Sequence, residues 1–145
     1  MNDFDLNRFL QAQNTGSYGS TYAHALEEIR KGRKYSHWIW YVFPQIRGLG
    51  RSPNACFFAL RDMDEANAYM HHEILGARLV EISEALLSLP ETNILYILGG
   101  IDSVKVRSCM TVFSKTERAP AVFEKVLKKY FGGKPDEKTL ALLGF

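Results

Sequence analysis

The chain has 145 residues, 46% of them hydrophobic and 23% charged, with a formal net charge of +2. This is too much apolar material for a disordered chain, and a domain of this length buries roughly 68–70% of its extended surface without needing a metal or disulfide staple. So small a net charge gives no reason by itself to expect a nucleic acid, and no apolar run approaches the ~20 residues that a membrane-spanning helix requires.

In chain order, Phe4, Leu6, Phe9, Leu10 and Gln13 predict a short first helix, with Asp3 or Asp5 favourable near its N-terminus. The stretch Asn14 to Ser17 ends it. Tyr18, Tyr22, Ala25, Leu26 and Ile29 share one stripe of a second helix, and Gly32 stands where a left-handed C-cap belongs. Ser36 is the expected N-cap of a short helix over the aromatic run Trp38 to Phe43, which Pro44 limits. The same run would suit a buried strand, but neighbouring segments keep a helical period and no alternating partner strand is evident.

Pro53 to Leu60 reads either as a helical turn or as an extended piece. Asp62 and Glu65 form a capping box ahead of Met63, Ala66, Tyr69 and Met70. Ile74, Leu75, Leu79, Ile82, Leu86 and Leu87 give a long helical face that ends by Pro90. Asn93 to Leu98 is a brief apolar piece stopped by Gly99 and Gly100, after which Asp102 is expected to cap a helix carrying Val104, Cys109, Met110, Val112 and Phe113. Pro120 suits the first position of a helix that runs to Phe131 ahead of Gly132 and Gly133, and Asp136 to Leu143 gives the last one. The expectation is an all-α fold, a compact single-domain bundle of about seven or eight helices joined by short turns over residues 1–145, with no repeat and no dividing linker.

Cys56 and Cys109 lack a CxxC spacing and read as buried free thiols of a reducing compartment. Residues Met1 to Arg8 are polar and acidic where a secretory signal would be basic and then apolar, so the reading is cytoplasmic. His71 and His72, about 100° apart on a helix, do not form an i, i+4 metal pair; a helix C-terminus accounts for them. No structural zinc, other metal or cofactor is expected.

Chemistry concentrates between Ile29 and Arg61. Arg30, Lys31, Arg33, Lys34, Arg47, Arg51 and Arg61 occur there without one Asp or Glu. Such a block is ordinarily a solvated rim around an apolar helix, and the sharper alternative is an anion site. Within it, the Arg47-Gly48-Leu49-Gly50-Arg51-Ser52 turn offers close backbone approach and planar guanidinium forks, although it lacks P-loop spacing and a preceding strand. A plain turn with two exposed arginines is the competing reading. His37 can act as acid or base, or stack a ring ligand with Trp38 and Trp40; alternatively it hydrogen-bonds a carbonyl at the core edge. Gln45 supplies a donor and an acceptor beside the ring cluster, or satisfies loop backbone. Farther on, Ser108 and Thr111 share a helix face and could line a pocket with Asp102 and Lys105, or simply allow close helix packing.

The segments Ser36-His37-Trp38-Ile39-Trp40-Tyr41-Val42-Phe43-Pro44-Gln45, Gly48-Leu49-Gly50-Arg51-Ser52, the stretch from Glu65 to Leu79, and Ser108-Cys109-Met110-Thr111-Val112-Phe113 together resemble the bacterial family catalogued as domain of unknown function 1810. The resemblance spans nearly the whole chain and implies a compact, mostly helical fold with no known reaction. The label calpastatin carried by some members does not suit this chain, because calpastatins are disordered and this composition is not. Two functional expectations compete. One is a phosphorylated, nucleotide-like small molecule at an aromatic pocket with a basic rim, built from Trp38, Trp40, Gln45, Arg47, Gly48, Gly50, Arg51, Ser52, Ser108 and Thr111, with His37 catalytic should the protein be an enzyme. The other is a protein-interaction module using the basic 30–61 surface, and a nucleic-acid partner ranks below both.

Overall fold

A computed structural model describes residues 5–145. Among them are nine helices and no strand: α1 (Asn7–Thr15), α2 (Tyr22–Arg30), α3 (Ile39–Val42), α4 (Pro53–Phe57), α5 (Met63–His71), α6 (Leu75–Leu87), α7 (Ile94–Ser114), α8 (Val122–Phe131) and α9 (Glu137–Leu143). The fold is all-α, with one helix more than the seven or eight expected. The ambiguous piece after Arg51 supplies it, because Ser52 Oγ accepts the Ala55 N–H and Pro53 sits in the first turn, so five residues close into a helix.

Several termini differ from expectation for identifiable reasons. Ser36 does not cap the aromatic helix: its hydroxyl donates to Glu28, and Trp38 takes the N-cap position. The break expected at Gly99 and Gly100 is present, so α7 is two helical pieces joined by a kink at Gly99 (φ 81°, ψ 171°): Asn93 caps the first, and Asp102 caps neither because the second is already helical before it. That region of dihedral space is essentially open to glycine alone. Pro120 precedes the Ala121 N-cap of α8 and so lies just outside the helix. Cys56 is an exposed free thiol rather than a buried one, since α4 buries none of its side chains, whereas Cys109 is buried. Asp3 and Phe4, assigned to the first helix from sequence, fall outside the described residues.

The core runs through α7. Its apolar residues Val106, Cys109, Met110, Val112 and Phe113 are buried on several sides, as expected of a central helix. It packs against α5, α8 and α9, while α6 packs against α2, α5 and α8. A ladder of rings crosses the interior: Phe9 meets Tyr69 edge-on at 5.0 Å, Tyr69 meets Phe113 at 5.3 Å, and Phe113 meets Phe123 at 5.9 Å, joining α1, α5, α7 and α8. Each such buried ring is worth about 1.5–3 kcal/mol relative to exposure. An isolated parallel bridge between Ile46 and Leu60, with Arg47 N–H donating to Leu60 O and Leu60 N–H to Gln45 O (both 2.8 Å), pins the turn that follows the aromatic run. It places Gln45 opposite α7.

Candidate functional site

The aromatic run is split by two environments. Trp38 is fully buried, and its Nε1 donates to Glu28 Oε1 at 2.9 Å. The same carboxylate accepts from Tyr35 N–H (2.9 Å), Ser36 N–H (3.2 Å) and Ser36 Oγ (2.7 Å), and His24 Nε2 lies 3.0 Å from its second oxygen. Burial by itself would raise the Glu28 pKa, but these hydrogen bonds to the charged form outweigh it and hold the carboxyl at about 2. Glu28 therefore ties the 35–38 segment to α2 as a fully satisfied knot.

Trp40, two residues further on in the first turn of α3, has the opposite character. It is only half-buried, yet its Nε1 is inaccessible and has no hydrogen-bond partner among the described residues. The Lys105 ammonium lies 5.4 Å from its ring centroid. Lys105 also lines a hollow of about 540 Å³ between the 45–50 turn, the second half of α7 and the start of α9. This volume lies within the roughly 300–1,000 Å³ of most small-molecule sites.

Leu49, Ile101 and Val104 give the hollow an aliphatic surface. Five side chains put polar chemistry into it. Ser108 is only 2% exposed, and its hydroxyl makes no hydrogen bond among the described residues; the Gln45 amide makes none either. Lys105 and Lys138 supply positive charge, and Asp136 is held at the rim because its Oδ2 accepts both the N–H (2.9 Å) and the hydroxyl (2.6 Å) of Thr139 as the cap of α9. The Ser108 hydroxyl and the Gln45 amide are not stranded, since among the described residues the one inaccessible side-chain polar atom without a partner is Trp40 Nε1; both face the open hollow and are free to pair with a ligand.

Of the residues singled out from sequence, the structure brings Gln45, Gly50, Lys105 and Ser108 to this hollow and sets Trp40 behind Lys105. It does not bring the others there. Trp38 belongs to the core. His37 is exposed on the far side of the aromatic run, where its carbonyl accepts the Ser20 N–H at 3.1 Å and packs over Gly19. Arg47 faces a second, smaller hollow with Arg61, Asp62, Asp64 and Leu142, and Arg51 is exposed outside both. Ser52 is occupied as the cap of α4, and Thr111 is fully buried, donating to Arg107 O (2.8 Å) and accepting the Asp136 N–H (2.9 Å). Gly48 and Gly50 are explained by packing: a Cβ at Gly48 would meet the Leu142 methyls at 3.3 Å, and one at Gly50 would come within 2.5 Å of Ala55 Cβ.

The basic block is not one surface. Lys31 pairs with Glu27 at 2.9 Å, Lys34 is buried against Asp102 at 2.7 Å, and Arg30 approaches Glu81 at 4.0 Å. Folding thus sets acids from α2, α6 and α7 beside bases that stand alone in the sequence.

The residues that sequence reasoning missed are Leu49, Ile101, Val104, Asp136, Lys138 and, outside the hollow, Glu28. A signal existed for two of them: Ile101 and Val104 sit seven and four positions from Ser108 in pattern with it, on a helix whose opposite side already had enough apolar residues for the core. They are 77% and 57% exposed, which sets them apart from the packed residues of α7. A larger hollow of about 720 Å³ between α2 and α6 is lined by Glu81 and Glu84 against the single base Arg30, and for that reason is the weaker candidate for an anionic ligand.

A family model described as "Protein of unknown function (DUF1810)" matches residues 3–143. Among solved structures, the chain is similar to the conserved hypothetical protein Rv1873 from Mycobacterium tuberculosis, at 41% sequence identity over 99% of both chains and a TM-score of 0.93. No curated protein matches it.

Proposed function

Starting from a chain that belongs to the DUF1810 family, for which no function is described, we propose that the hollow beside Trp40 binds a phosphorylated, nucleotide-like small molecule. The observation that carries this reading is the meeting of two unpartnered polar groups, the Ser108 hydroxyl and the Gln45 amide, with two lysines on an aliphatic surface. The aliphatic side chains would cover a ring, the amide offers one donor and one acceptor to its edge, and Lys105 and Lys138 would receive the anionic group. No residue pair in the hollow forms a nucleophile with its base, so the reading is of binding, with no reaction assigned. His37 could act as acid or base only on a ligand long enough to leave the hollow.

In this reading the protein acts as a single domain in a reducing cytoplasm, which suits an exposed free thiol at Cys56. No helix among the described residues is long and apolar enough to cross a membrane. The rival, a basic surface meeting an acidic protein partner, is weakened by the intramolecular pairing of Lys31 and Lys34. Thermal-shift and calorimetric titrations with adenosine monophosphate, ADP-ribose and sugar phosphates test the proposal. At least one should stabilise the wild type, and Ser108→Leu, which fills the hollow, should abolish that gain. Absence of any stabilisation at ligand concentrations about a hundredfold above a micromolar Kd, where about 2.7 kcal/mol is expected, would reject it.

A further inference from the structure

Lys105 and Lys138 both line the hollow, yet their surroundings make them unequal. Lys138 is exposed and hydrated. The Lys105 side chain is 23% exposed; its ammonium makes no hydrogen bond among the described residues, and its nearest carboxylate oxygen, Asp102 Oδ1, is 4.0 Å away. That separation gives attraction without a hydrogen bond.

The other oxygen of Asp102 explains why the tie is loose. Oδ2 lies 2.7 Å from Lys34 Nζ, whose side chain is only 7% exposed. The Lys34 ammonium also donates to Ser36 O at 2.6 Å and stands 4.9 Å from the Trp38 ring centroid. Lys34 is thus fully engaged and takes most of what Asp102 offers. Lys105 is left oriented across the Trp40 face with its three donors unclaimed.

We propose that Lys105 is the residue that receives the ligand's anion, and that Asp102, anchored by Lys34, is its positioning residue. This rests on the binding reading above and deepens it by ranking the two lysines. A half-buried ammonium that lacks acceptors gains more from a ligand anion than one already solvated, because charge pairs strengthen as water is excluded. Binding draws the Lys105 ammonium from the Trp40 ring toward the hollow, so the Trp40 indole reports occupancy although Trp40 does not line the hollow itself.

The test follows the Trp40 indole N–H resonance in ¹⁵N-labelled protein during titration with inorganic phosphate and, separately, with adenosine monophosphate. The resonance should move in wild type; Lys138→Met should weaken affinity by about threefold, and Lys105→Met should weaken it at least tenfold, equivalent to about 1.4 kcal/mol. Asp102→Asn should shift the Trp40 indole before any ligand is added and weaken both titrants, while Asp102→Glu should restore part of each effect. Because Asp102→Asn leaves a buried lysine unpaired, the double variant Lys34→Met, Asp102→Asn provides the same reading in a fold relieved of that charge. Equal losses in the two lysine variants, or an unchanged affinity in Lys105→Met, would overturn the ranking while leaving the binding site intact. An unliganded Trp40 signal identical in wild type and in whichever Asp102 variant folds would overturn the positioning role. No response of the wild type to either titrant would reject the binding reading and this inference with it.

Discussion

Trp38 and Trp40 stand two residues apart in one short helix, and they divide the molecule into a part that is chemically complete and a part that is not. Around Trp38 every polar group is matched: Glu28 collects the indole, two backbone N–H groups, a serine hydroxyl and His24. Around Trp40 the indole N–H, the Ser108 hydroxyl, the Gln45 amide and the Lys105 ammonium lack hydrogen-bond partners among the described residues. Satisfied networks stabilise a fold, whereas groups left open beside a hollow are free to pair with a ligand. The pair of tryptophans therefore separates what holds the chain together from what it offers to another molecule.

The largest break in this comparison should come from Glu28→Ala. It strands the donors of Trp38, Tyr35 and Ser36, and denaturant midpoints should report a loss of about 3 kcal/mol or more. Acid should probe the same knot. The folded carboxyl sits at about 2 against an ordinary 4.5, so Glu28 contributes fully to stability above pH 4.5 and loses that contribution as pH falls from 4.5 toward 2. Glu28→Gln should flatten that part of the stability profile.

Next in size, Trp38→Phe should cost about 2–3 kcal/mol, because it removes a bonded indole from a fully packed site and leaves a void. Trp40→Phe removes an N–H that has no partner, and its cost should stay within about 1 kcal/mol in the same denaturation experiment. Equal costs at the two positions would erase the distinction. Gly99→Ala should cost about 1–3 kcal/mol through backbone strain alone, since nothing lies within 4 Å of where its Cβ would stand. The smallest effect on stability belongs to Ser108→Val: a change within about 1 kcal/mol in either direction, accompanied by weakened nucleotide binding in a calorimetric titration.

The fold was largely legible because hydrophobic period and capping residues are local. The Asp62 cap of α5, the long face of α6 and the Asp136 cap of α9 appear at or within a residue of their expected places, as does the α2 stripe from Tyr22 to Ile29, whereas Tyr18 lies exposed outside that helix because Thr21 caps it. Termini were misread where a distant residue intervened. Ser36 resembled an N-cap until Glu28, eight positions earlier, claimed its hydroxyl, and Asp102 resembled one although the helix is already under way before it and its carboxylate faces Lys34. Glu28 lies on α2 and Lys34 in the loop after it, and no periodicity marks either.

The site was legible only in part for a related reason. Gln45, Gly50 and Ser108 do converge, but the arginines that made the turn conspicuous point elsewhere, and the cations lining the hollow come from α7 and α9. A charge block in sequence is a poor guide to a charged surface when acids from other helices fold against it. Lys34, paired with Asp102 of α7, shows this directly.

The most direct test of the account uses the two indole N–H resonances of ¹⁵N-labelled wild-type protein during titration with adenosine monophosphate, read together with the backbone amides of Gln45 and Ser108. The account predicts saturable movement of the Trp40 indole and both amides while the Trp38 indole stays fixed. Movement of Trp38 in step with Trp40, or stillness of all four signals at millimolar ligand, would contradict it.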